Sequence, residues 1–116
     1  MQIPNYERIM LPYLESLSDA KEHSFEQVLG HICSTFRLTD QEKDELLPSK
    51  KETVICNRVR WARYYMEKAG LLETTRRGFY RITDMGLKVL RENPQEINAK
   101  YLERFSGFVK FRTPKK

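Results

Sequence analysis

From Ser49 to Asp84 one amphipathic stretch is followed, after a single glycine, by two strand-like runs on either side of Arg76-Arg77-Gly78. Ile55, Val59, Ala62, Met66 and Ala69 recur at four- and three-residue steps, which sets them on one stripe of a helix. Ser49 followed by Glu52 fits a capping box, so the helix is predicted over Lys50–Ala69. Gly70 suits a left-handed C-cap, and Leu71–Thr75 and Phe79–Ile82 have strand character. Gly78 can take the positive φ that a tight hairpin loop needs. A helix feeding directly into a hairpin points to a mainly α fold with a small β-hairpin wing, a winged helix-turn-helix.

The other elements are read from the same signals. A helix is predicted from about Asn5 to Leu17, with Met10, Tyr13, Leu14 and Leu17 on one face and Pro12 bending or tightening its middle. The stretch from Ser18 to His23 is a connection, with a short extended piece at its end. Ser24 with Gln27 and Thr39 with Glu42 form two more capping-box pairs, opening helices near Phe25–Phe36 and Asp40–Leu47. Val28, Leu29, Ile32 and Phe36 give the first its core face; Leu46 and Leu47 anchor the second, and Pro48 breaks the chain. Thr83 caps a helix over Asp84–Glu92, in which Gly86 permits close packing and Leu87 and Leu90 face inward; Asn93-Pro94 ends it. A last helical stretch, about Gln95–Arg104, closes a domain of residues 1–104. Residues 105–116 are predicted as a tail or linker toward a further domain. Its phenylalanines, Phe105, Phe108 and Phe111, need a surface to cover, on this domain, on a second copy or on something else.

Charge is divided unevenly along the chain. Residues 1–48 hold four Lys/Arg against nine Asp/Glu, residues 49–82 nine against three, and residues 83–116 eight against four. A net charge of +5 concentrated in this way suits a polyanionic partner, and double-stranded DNA is the partner expected. On the predicted helix, Thr53, Asn57, Arg60 and Tyr64 lie opposite the apolar stripe, with Lys50 and Trp61 on one flank and Arg63 on the other.

Other chemistries are poorly supplied. At 116 residues the chain has room for one modest core, not for a binding domain and a separate catalytic one. Asp19-Ala20-Lys21 is the only triplet of the (D/E)-x-K kind, and no strand precedes it to carry the partner acid that a Mg²⁺ site needs. His31 and Cys33 point to different faces of a helix, so no zinc site is expected. Cys33 and Cys56 have neither disulfide nor metal-clip spacing and read as small apolar residues. No cofactor is expected. No apolar run approaches the roughly 20 residues of a membrane span, and a cytoplasmic location is expected.

The chain resembles the N-terminal winged-helix domain of Mrr-type restriction system proteins. The matching blocks are Met10-Leu11-Pro12-Tyr13-Leu14, Leu17 to His23, Leu46-Leu47-Pro48-Ser49, and Asn57-Arg58-Val59-Arg60-Trp61-Ala62. They continue through Lys68-Ala69-Gly70-Leu71-Leu72, Arg77 to Thr83, Gly86 and Asn93-Pro94, nearly the whole chain in order. The resemblance implies a non-catalytic recognition domain, placed in endonuclease members ahead of a PD-(D/E)xK nuclease and tending to act on modified, often methylated, DNA. The family often has a small residue where this chain has Arg60, which adds a charge to the expected DNA face.

A winged helix-turn-helix sets the start of its recognition helix in the major groove and its wing on the backbone or minor groove. By that geometry Ser49, Lys50, Lys51 and the amides at the helix start hold phosphate. Asn57 and Arg60 are the candidates for base edges. Arg76 and Arg77 contact the backbone or minor groove, and Tyr64 supports a phosphate. Arg58 either joins them or bridges to Asp44 or Glu45, and Trp61 packs beside the acidic second helix. Two rivals stand beside this reading: a protein–protein interaction module, and a transcriptional regulator that binds unmodified DNA. Further candidate partners are a nuclease domain or subunit met through Phe105, Phe108 and Phe111, and a second copy of the chain.

Overall fold

The computed structural model describes residues 3–113. In chain order these form α1 (Tyr6–Ser16), β1 (His23–Ser24), α2 (Phe25–Thr35), α3 (Asp40–Asp44), α4 (Val54–Lys68), β2 (Leu72–Arg76), β3 (Phe79–Ile82), α5 (Asp84–Arg91), α6 (Ala99–Leu102) and α7 (Ser106–Arg112). The architecture is mainly helical, with one three-stranded antiparallel sheet in the order β1-β3-β2.

Local chemistry accounts for most of the helix starts. The Asn5 side chain accepts from the Arg8 amide at 2.9 Å and opens α1, which runs through Pro12 without a break. Ser24 and Gln27 exchange both capping-box bonds, at 2.9 and 3.1 Å, and Thr39 and Glu42 do the same at 2.8 and 3.1 Å. Thr83 caps α5 through the Gly86 amide at 3.1 Å.

The helix expected from Lys50 starts instead at Val54. The Leu47 amide donates to Glu52 O at 3.1 Å, the Val54 amide to Glu45 O at 2.8 Å, and Leu46 pairs with Thr53 as an isolated bridge. Backbone groups spent across this loop are lost to helical hydrogen bonding, and Lys50 sits at φ +59°, outside the helical region. Thr53 takes the capping role, accepting from the Cys56 amide at 3.2 Å, while Ser49 accepts only from Lys51 at 3.4 Å. For the same reason α3 ends at Asp44 rather than Leu47, and Leu46, expected as an anchor, is 50% exposed.

The apolar stripe of α4 is buried as its spacing predicts: Ile55, Val59, Ala62, Met66 and Ala69 join Ile9, Met10, Tyr13, Leu14 and Leu17 in one core. Gly70, at φ +85°, ends the helix in a Schellman motif, with Leu71 donating to Met66 O and Gly70 to Glu67 O, both at 3.0 Å. In the sheet, Leu72 faces Ile82 and Thr74 faces Tyr80, and a bulge at Thr75 shifts the pairing before Arg76 meets Phe79. Gly86 packs where any Cβ would strike the Leu71 carbonyl and Ile82, as a close-packing glycine should. On α5 the buried residues are Gly86 and Val89, with Leu87 and Leu90 only partly covered.

Residues 105–113, expected as a tail or linker, carry α7 and pack on α4. Phe108 is completely buried beside Tyr65, and Gly107 lies so near the Lys68 carbonyl that a Cβ would sit 2.7 Å from it. Ile97 and Leu102 are buried in the same core. The helix expected over Gln95–Arg104 shrinks to α6, whose start is held by Asn98 and by Glu7, which accepts from the Ala99 amide at 2.9 Å. Pro114, Lys115 and Lys116 lie outside the described residues. Among the described residues no helix is long and apolar enough to cross a membrane.

Candidate nucleic-acid interface

The outward face of α4 is organised by an acidic residue. Glu52 takes no part in capping, and its carboxylate is shared: Oε1 accepts from Asn57 Nδ2 at 2.8 Å and Oε2 lies 3.2 Å from Arg60 Nη2. Arg60 is also stacked on Phe25, with its guanidinium 5.7 Å from the ring centre. The Phe25 amide donates to Gly78 O at 2.9 Å, so the front of α4 and the tip of the β2–β3 hairpin border one another across Phe25.

Behind this front, Glu67 joins α4 to the hairpin. It accepts from Arg63 Nη1 at 2.6 Å and from Thr74 Oγ1 at 2.8 Å, and the Arg63 guanidinium lies 5.2 Å from the Tyr80 ring centre. A third carboxylate, Glu22, does the same at the tip, accepting from Thr75 Oγ1 at 2.7 Å and from Arg76 Nε at 3.1 Å. The Thr75 hydroxyl first, and then Arg76, holds the Glu22 carboxyl below its ordinary range. Arg76 is stacked on Phe79 at 3.8 Å, whereas Arg77 is exposed and makes no ion pair among the described residues.

The ten residues singled out in the sequence therefore divide. Asn57, Arg60, Arg76 and Arg77 share one connected surface. Ser49, Lys50 and Lys51 are exposed in the turn before α4 instead of on its first turn. The amides expected to hold phosphate, at a helix start near Lys50, are not on a helix, and at the observed start the Val54 and Cys56 amides already donate to Glu45 O and Thr53 Oγ1. Thr53 itself is the N-cap. Arg58 turns inward and donates to Ile3 O at 2.9 Å and Pro4 O at 3.3 Å, so it ties down the start of the chain rather than bridging to Asp44 or Glu45. Tyr64 stands edge-on between Trp61 and Phe111, with Lys68 Nζ 5.1 Å from its ring centre. Trp61 is 47% exposed and packs edge-on against Tyr64 and Tyr65 of its own helix.

Of the phenylalanines expected to meet a partner, Phe108 is spent in the core, Phe105 is half-buried, and Phe111 is partly exposed beside Tyr64. Sequence reasoning overlooked Glu22, Glu52 and Glu67. For Glu52 and Glu67 the available signal was that acidic residues placed within a basic segment tend to be paired; Glu22 lies in the acidic part of the chain and carried no such signal.

Such a surface has the means for reading a polyanion: an amide and a guanidinium on the outward face of a helix, next to a projecting pair of arginines. Among the described residues no group of three or more His, Cys, Asp or Glu is placed to hold a metal ion. Cys33 and Cys56 are half-buried thiols, and burial pushes the Cys33 thiol up from its ordinary value.

A family model described as the Mrr N-terminal domain matches residues 6–92, from the first residue of α1 to the residue that caps the end of α5. No curated protein matches the chain, and no solved structure does.

Proposed function

From the premise that this chain belongs to the Mrr N-terminal domain family of restriction-system proteins, we propose that it is a winged-helix domain that binds double-stranded DNA, non-catalytic by itself, and that it serves to recognise modified bases. In this reading α4 enters the major groove, and the β2–β3 hairpin is the wing, set on the backbone or in the minor groove. The observation that carries the reading is the continuity of Asn57, Arg60 and the Arg76-Arg77 tip across Phe25. One surface thereby offers both base-reading and backbone-holding groups. Lys50 and Lys51, in the turn before the helix, add phosphate contacts at its leading edge.

A titration of fluorescent duplex DNA tests this, comparing unmodified, adenine-methylated and cytosine-methylated duplexes across salt concentration. About five phosphate contacts give a log–log salt slope of about −4 to −5. A preference for one methylated duplex supports modified-base recognition; a steep slope without preference leaves a general or operator-type DNA-binding domain. Absence of binding at low salt removes the DNA reading.

A second reading, a protein-interaction surface, is favoured by Trp61, Val109 and Phe111, which are 47%, 43% and 37% exposed. Reversing charge at Arg60 and Arg76 separates the two, because it abolishes DNA binding and leaves an apolar contact through Trp61 and Phe111 intact.

A further inference from the structure

We propose that Glu52 is the positioning residue that decides which base edge α4 accepts, an inference that rests on the DNA-binding reading above. An ionised carboxylate can only accept hydrogen bonds. With Glu52 Oε1 2.8 Å from Asn57 Nδ2, the Asn57 amide is held with its NH2 group toward Glu52 and its carbonyl oxygen turned away. The second oxygen of the same carboxylate engages Arg60 at 3.2 Å, so the two base-reading side chains are fixed relative to each other.

Glu52 is suited to this because its own backbone is tied down. Its carbonyl accepts from Leu47, the next residue pairs with Leu46, and its side chain is 27% exposed against 53% for Arg60. It is a fixed post that holds Asn57 and the more exposed Arg60.

Two consequences follow for recognition. In the major groove adenine N6 and cytosine N4 are donors, whereas guanine O6 and thymine O4 are acceptors. An Asn57 presented through its oxygen selects an amino-bearing base at the position it faces. Glu52 also offsets the charge of Arg60, which lowers attraction to phosphate and so suppresses binding that is independent of sequence. The carboxylate thus favours discrimination over affinity.

The test uses the full 116-residue chain and a randomised duplex DNA library, followed by salt titration on a generic duplex, for wild type, Glu52→Gln and Asn57→Ala. Glutamine keeps the shape of Glu52, yet it can donate as well as accept, so it allows the Asn57 amide to flip. Wild type is expected to enrich adenine or cytosine at one position, which Asn57→Ala identifies by losing that preference. Glu52→Gln is expected to relax the preference at that same position, to bind the generic duplex more tightly, and to steepen the salt slope by about 0.9. An unchanged melting temperature in Glu52→Gln separates positioning from a merely structural role. Wild-type binding with no amino-base preference, or a Glu52→Gln variant with wild-type preference and slope, overturns the role of Glu52 and leaves DNA binding standing. No wild-type binding at all overturns both.

Discussion

The segments that open α3 and α4 carry the same sequence signature, a hydroxyl residue followed three places later by glutamate, and they use it differently. At Thr39 and Glu42 both reciprocal bonds form and a helix follows at once. At Ser49 and Glu52 neither forms, Lys50 adopts a left-handed conformation, and the helix waits for Thr53. The difference lies in what each glutamate is then free to do. Glu42 is consumed by the backbone it caps, whereas Glu52, released from capping, holds Asn57 and Arg60 on the outward face. A failed local motif supplied the organising residue of the candidate site.

The sharpest way to break this contrast is Lys50→Pro. If the helix began at Lys50, proline would fall on its first residue, where it is well tolerated. In the observed turn, φ +59° is closed to proline and the Lys50 amide donates to Leu47 O at 2.8 Å. Chemical denaturation should therefore show a loss of about 3 kcal/mol; a neutral result would mean that the helix starts where the capping signature places it.

A smaller effect separates the two competing caps. Thr53→Ala should cost about 1 kcal/mol of stability, as Thr39→Ala should, while Ser49→Ala should stay within about 0.5 kcal/mol of wild type. Equal losses at Ser49 and Thr53 would return the cap to Ser49.

The gentlest probe concerns Glu22, a carboxylate that, like Glu52, joins two side chains. Its folded-state pKa lies below its ordinary 4.5, so its contribution is present above the unfolded value and is lost as pH falls through the folded one. Amide exchange at the hairpin tip should accelerate over that acidic window in wild type. In Thr75→Ala the Glu22 titration, followed by NMR, should move back up toward its ordinary value.

What was legible in the sequence was what neighbours in the chain decide among themselves. The stripe from Ile55 to Ala69, the capping pairs at Ser24 and Thr39, and the glycines at 70 and 78 follow from spacing and backbone freedom alone. The start of α4 did not, because it depends on Leu46 pairing with Thr53 and on Val54 donating to Glu45, a competition that a three-residue motif does not record. For Arg58 the sequence offers a DNA contact or a bridge to Asp44 or Glu45, because its acceptors, Ile3 O and Pro4 O, lie more than fifty positions away. The segment from Phe105 looked like a tail because Phe108 has its partners on α4, and nothing near it in sequence announces them.

The docking of α7 also separates the stretch that matches the family from the stretch that is stable as a unit. The match to the family model ends at residue 92, yet Ile97, Leu102 and Phe108 beyond it are each no more than 1% exposed. Residues outside the matched region thus close the core of the region inside it. Cutting the chain at residue 92 would strip away part of its own interior.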